Sequence, residues 1–130
     1  MQKSKSLIQH KRIGIIRFKY LRTTTKLTDK EVKYLINRAK EGNQIAELVY
    51  GFYLYFELNN HEQAFRWWNK FYRHACGSAL WLAFEDFRMQ GDEFYEWAYK
   101  CLKKSASKKF AIAQVIYKRC LDDVFKFQEA

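Results

Sequence analysis

Alanine returns in this chain at the interval of a helical hairpin. Ala46, Ala79 and Ala113 each open an apolar stretch, and Ala64 and Ala98 stand 34 residues apart (98 − 64) inside the stretches between them. The strings AFRWWNKFYRHA from residue 64 and AYKCLKKSASKK from residue 98 run in parallel. A period of this length belongs to stacked pairs of helices, because one hairpin cannot bury its own apolar face and must lay it against a neighbour. The expected fold is therefore all-α: a right-handed α/α superhelix of about 2.5 stacked helical hairpins. A basic N-terminal leader, residues 1–27, precedes the helical-repeat domain at 28–130.

Composition agrees with a helical chain of one core. The 130 residues are 48% hydrophobic and contain no proline and five glycines. That apolar fraction argues against global disorder, and the lack of proline suits uninterrupted helix. Aromatic residues make up 18%, enough both to fill space between helices and to anchor a partner.

Local signals place the elements. Ile16–Arg–Phe–Lys–Tyr20 alternates apolar with basic residues, which fits a short strand or irregular packing against the first hairpin. Thr28–Asp–Lys–Glu31 reads as a capping box, followed by Val32, Leu35, Ile36 and Ala39 on one helix face. Gly42 supplies a left-handed stop. Helices are then expected at about 44–58, 61–75, 77–90, 93–104 and 108–127. Asn59–Asn60 and Gly91 are the breaks, and Asp92 and Ser107 the caps.

Charge is concentrated at one end. Residues 1–26 hold eight Lys or Arg (Lys3, Lys5, Lys11, Arg12, Arg17, Lys19, Arg22, Lys26) and no acid, whereas residues 27–130 hold 16 basic and 14 acidic side chains. Such a leader suits a solvated tail, a nucleic-acid arm using Lys11, Arg12, Arg17, Lys19 and Arg22, or a segment lying on an anionic membrane with Ile13, Ile16, Phe18 and Leu21 as apolar contacts. A second cluster, Lys103, Lys104, Lys108 and Lys109, sits at an expected helix boundary, where cations favour the negative end of the helix dipole.

Enzymatic chemistry finds little footing. Cys76, Cys101 and Cys120 form no CxxC and their odd number favours reduced thiols in a cytoplasmic setting. No stretch reaches the length of a membrane span, and no secretory signal is evident. His10, His61 and His74 lack metal-ligand spacing, and His61–Glu62 lacks the second histidine of a metalloprotease helix. Glu85–Asp86 and Asp122–Asp123 point in divergent directions on a helix and do not converge as an acid–base pair. No catalytic residue, metal or cofactor is expected.

Repeat register proposes a surface. Positions two, six and nine after the repeat alanines share one helix face: Leu48, Phe52 and Tyr55; Trp81, Glu85 and Arg88; Val115, Arg119 and Asp122. Core positions recur, whereas a surface reading a partner changes from copy to copy. The partner-binding set is accordingly Phe52, Tyr55, Trp81, Glu85, Arg88 and Arg119; the alternative is that the stripe is ordinary packing between helices, since Leu48 and Val115 read as core. Of the Trp67–Trp68 pair, Trp67 fits the repeat core and Trp68 covers a neighbouring helix or stands exposed as an anchor, cover being the favoured reading.

Ala39, Gly42 and Ala46, then Tyr50–Gly51 and Tyr55, then Ala64, Trp67 and Lys70 resemble the signature of Sel-one-like repeats, short relatives of tetratricopeptide repeats. In the next copy Ala79, Gly91, Ala98, Lys104 and Ala106 fit, with Phe84 in place of the first glycine and Cys101 in place of the Trp. The resemblance covers about residues 29–127. It implies an adaptor, chaperone or immunity-type binder of bacterial type that holds another protein on a concave face. The alternatives are a nucleic-acid-associated regulator acting through the leader, and a self-associating homodimer whose last helix exposes Phe125 and Phe127.

Overall fold

The computed structural model describes residues 2–129, with side chains from 8 to 123. Among these residues the secondary structure is helical: α1 (Gln2–Arg17), a π-helical turn (Phe18–Arg22), α2 (Asp29–Lys40), α3 (Gln44–Phe56), α4 (His61–His74), α5 (Gly77–Met89), a 3-10 turn (Asp92–Phe94), α6 (Tyr95–Ser107) and α7 (Ala111–Glu129). Lys3, Lys5, Phe125 and Phe127 have side chains outside the described residues. The chain divides into two compact units, Met1–Arg73 and His74–Ala130.

In the first unit the leader is built into the core. The expected strand at Ile16–Tyr20 is instead helical. Ile13, Ile16, Leu21 and Leu27 are all buried, and α1 packs against α2 and α3. The π-helical turn closes with Thr23 donating its amide to the Phe18 carbonyl (3.1 Å), and Leu21 within it is buried. Tyr20 stands beside Tyr53 (ring centroids 6.0 Å) and its hydroxyl donates to Glu57 (3.3 Å). Burial, with the charge and hydrogen bond of Glu57, raises the Tyr20 phenol above its ordinary range.

The start of α2 follows the sequence closely. The Thr28 hydroxyl accepts the Glu31 amide (3.2 Å) while Glu31 accepts the Thr28 amide (2.9 Å), a complete capping box. Lys19 donates to the same carboxylate at 2.6 Å, joining the leader to this cap. Gly42 and Gly91 hold φ of 95° and 102°, the left-handed geometry that ends α2 and α5.

Between α3 and α4 a large ring lies on a small residue. Trp68 is fully buried against Gly51 and donates its indole N–H to the Leu48 carbonyl (3.2 Å). Ala64, Trp68 and Phe71 share the buried stripe of α4 at i, i+4 and i+7. Trp68 thus covers the neighbouring helix, and Trp67, expected in the core, is half-buried, edge-on to Tyr50 (5.3 Å) and beneath Lys70.

In the second unit α5 packs on α6 and α6 on α7. The Ser105 hydroxyl donates to the Gly77 carbonyl (2.7 Å) and the Lys108 ammonium to the Ala75 carbonyl, tying the end of α6 to the start of α5. Two helix starts differ from expectation. Asp92 begins a 3-10 turn before α6, and Ser107 ends α6 by donating to the Lys104 carbonyl (2.7 Å), so α7 starts only at Ala111. Helix starts nevertheless keep the period: α3, α5 and α7 begin at 44, 77 and 111, and α4 and α6 at 61 and 95. The five marker alanines, Ala46, Ala64, Ala79, Ala98 and Ala113, are all buried.

Two measurements check this packing. A Cβ added at Gly51 would lie 2.5 Å from Trp68 Cδ1, so Gly51→Ala should cost about 1–3 kcal/mol of overpacking, seen as a lowered unfolding midpoint in urea. The Glu31 carboxyl is held below its ordinary range, first by the Lys19 hydrogen bond and then by the Thr28 amide. A depressed folded-state pKa stabilises above the unfolded value, and that contribution is lost as pH falls through the folded one. Glu31→Gln should therefore cost roughly 0.5–1 kcal/mol at neutral pH, limited by solvent screening, and the gap from wild type should close below about pH 4.

Candidate functional site

The second unit contains a cleft of about 310 Å³ formed by α5, the Gly91–Asp92 turn, α6 and α7. Helical spacing builds its walls. Phe84 and Arg88 come from one face of α5; Tyr95, Ala98, Tyr99 and Leu102 from one face of α6; Ile116 and Cys120 from one face of α7. The floor is apolar, with Leu102 and Ala98 buried. Arg88 and Asp92 bring both signs of charge to the rim. The Arg88 guanidinium lies 5.3 Å from the Phe84 ring centroid, a cation–π contact made by an exposed residue. Tyr95 is 66% exposed and stacks with Tyr99 (6.4 Å, 19°), which is 5.9 Å from Tyr117. A hydrogen bond with Tyr117, then burial, raises the Tyr99 phenol, which stays neutral over the physiological range.

Residues one period apart differ in size at this point. In the first unit Tyr55 stacks flat on His61 (4.0 Å, 8°) and approaches Phe65 and Trp68. The corresponding positions of the second unit are Arg88 (55 + 33), Tyr95 (61 + 34), Tyr99 (65 + 34) and Leu102 (68 + 34). Exchanging a flat ring for a solvated guanidinium, and an indole for an isobutyl group, removes the aromatic plug and leaves open volume over an apolar floor.

The sequence-derived partner set meets mixed fates. Phe52 and Tyr55 belong to the first unit, and Trp81, Glu85, Arg88 and Arg119 to the second. Phe52 is fully buried, edge-on to Trp68 (5.0 Å), and so belongs to the core instead of a contact surface. Tyr55 is half-buried in the aromatic plug. Trp81 is half-buried beside Phe84 (5.3 Å) and Phe110 (6.4 Å), Glu85 is half-buried, and Arg88 and Arg119 are exposed. Of these six, Arg88 lines the cleft. Asp92, Tyr95, Tyr99, Ile116 and Cys120 were not anticipated. The signal for Tyr95 and Tyr99 was present as an i, i+4 aromatic pair in register with His61 and Phe65. Val115, which reads as core, is 52% exposed. In the leader, Lys11 and Arg12 are exposed and Arg17, Lys19 and Arg22 half-buried.

Among the described residues no group of three or more His, Cys, Asp or Glu gathers to hold a metal ion, and no helix is long and apolar enough to cross a membrane. The chain matches no protein-family model, no curated protein and no solved structure.

The three cysteines are outside any disulfide and differ in environment. Burial pushes Cys101 up to about 12. Partial burial also pushes Cys76 up, but hydrogen bonds with the Ser78 hydroxyl and the amides of Ala79, Ser78 and its own residue outweigh it, and the net shift is downward. Iodoacetamide at neutral pH should therefore label Cys76 well before Cys101, with Cys101 reacting only on unfolding. Ser78→Ala should move the Cys76 rate midpoint to higher pH, as read by peptide mass spectrometry.

Proposed function

We propose that this chain is a protein-interaction module of the adaptor, chaperone or immunity type, that it binds a partner segment without catalysing a reaction, and that the cleft of the second unit is where the segment docks. The observation that carries this reading is the pairing of an apolar floor (Ala98, Leu102) with an exposed tyrosine and an arginine at its rim. Tyrosine and arginine are the side chains that most often anchor interfaces, since each gives a large contact at modest ordering cost. An apolar floor with a few convergent polar groups is the usual form of a recognition site.

The helical-repeat reading gives the module its frame. Helix starts at 44, 77 and 111, and at 61 and 95, support paired helices recurring in register, as in Sel-one-like and tetratricopeptide-like arrays, whose stacked hairpins would form a right-handed superhelix. Three free cysteines support a reducing, cytoplasmic setting.

A displayed-peptide selection against the full chain tests the proposal. Selected peptides should bind wild-type protein, and Tyr95→Ala and Arg88→Ala should each weaken them by about tenfold while leaving the circular dichroism spectrum unchanged. Peptides bound equally by both variants would place recognition elsewhere.

A further inference from the structure

The first helix has two apolar faces, and the core uses one of them. Ile13 and Ile16 are 1% and 4% exposed and pack inward. On another side, the 100° step of an α-helix, carried into the first residue of the π-helical turn, places Ile8, Lys11, Arg12, Ile15 and Phe18 within an arc of about 120°. Ile8, Ile15 and Phe18 are 58%, 55% and 59% exposed, and Lys11 and Arg12 are exposed between them. Lys30 of α2 meets Arg12 and Ile15 around a shallow cleft of about 300 Å³. Acid is scarce on this side. Glu31, at the same cleft, is held by Lys19 at 2.6 Å, Asp29 is exposed at the start of α2, and residues 1–26 contain no carboxylate against eight cations.

We propose that this outer face of α1 lies on an anionic lipid surface. Ile8, Ile15 and Phe18 enter the boundary between headgroups and acyl chains, and Lys11, Arg12 and Lys30 meet the lipid phosphates. Scattered exposed apolar residues are ordinary, but three on one arc of a helix carrying only cations are not. A basic amphipathic helix of this kind combines apolar insertion with attraction to anionic headgroups. Nucleic acid would use the cations but leaves Ile8 and Ile15 without a role, since its backbone offers phosphate rather than an apolar phase. A protein partner would use the aliphatic groups but would need an acidic surface placed to answer Lys11, Arg12 and Lys30 together.

Co-sedimentation of the full chain with vesicles tests this. Protein should sediment with phosphatidylcholine–phosphatidylserine vesicles and not with phosphatidylcholine alone. Ile15→Ser with Phe18→Ser should weaken the partition by about tenfold. Phe18→Trp should preserve it, and Lys11→Gln with Arg12→Gln should weaken it and flatten its salt dependence. Ile15 and Phe18 are surface side chains, so unchanged circular dichroism will show that the variants fold. Failure of wild-type protein to sediment with anionic vesicles overturns the proposal. So does sedimentation that the charge variant loses and the serine variant keeps, which is electrostatic adsorption alone. Retention on duplex DNA at physiological salt without vesicle binding would assign the cations to nucleic acid instead.

Discussion

The indole of Trp68 resting on Gly51 is the contact around which the first unit is arranged. It needs a residue without a side chain on α3, because any Cβ there would collide with the ring, and it satisfies its own N–H on the Leu48 carbonyl of the same helix. Once that ring is seated, Phe52, Tyr55 and Phe65 close around it with centroids 5.0 to 5.7 Å away. Such edge-on clusters favour close interdigitation of helices. The second unit reverses the sizes, with Phe84 in the place of Gly51 and Leu102 in the place of Trp68. A large residue on the first helix and a smaller one on the second still bury an apolar seam, but they leave space beyond it. The cleft lies beside that exchange, with Phe84, Leu102 and Arg88 all in its lining.

Electrostatics divides the molecule differently. Among the described residues, Lys11, Arg12, Arg17, Lys19 and Arg22 stand on helical segments packed into the first unit. The leader is held by Ile13 and Ile16 of α1, by Leu21 and Leu27 beyond it, by Tyr20 on Glu57 and by Lys19 on the capping carboxylate of α2. A charged segment pinned in this way presents its outer face in a fixed orientation, and so concentrates charge and apolar surface on one side. The cations near the end of α6 have a structural part. Lys108 bonds the Ala75 carbonyl, and Lys104, lowered first by burial and then by the charge of Lys108, sits beside buried Cys101.

How much of this was legible beforehand depended on the range of the interaction involved. The capping box at Thr28–Glu31, the stops at Gly42 and Gly91 and the turn at Asn59 are local, written in residues within one turn of each other, and each stands where the sequence places it. Periodicity located the hairpin helices to within a few residues, because burial at i, i+3 and i+4 leaves a trace in composition. At Ile16–Tyr20, alternation over five residues fits a strand or irregular packing against the first hairpin, and the segment is helical and packed. Contacts of Tyr20 with Tyr53 and Glu57, far along the chain, go with the helical form.

The site shows the same division. Amino-acid order settled that the chain is helical, that its helices recur at about 34 residues and that positive charge gathers at one end, since each rests on propensity, spacing or count. It did not settle which of two adjacent tryptophans is buried, that Phe52 is core while Val115 is exposed, or that Arg88, Tyr95 and Cys120 share one cleft. Those outcomes turn on how one helix is rotated against another. A rotation of one residue, 100°, carries a side chain from the seam to solvent, and that angle is set by the fit of whole side chains across helices.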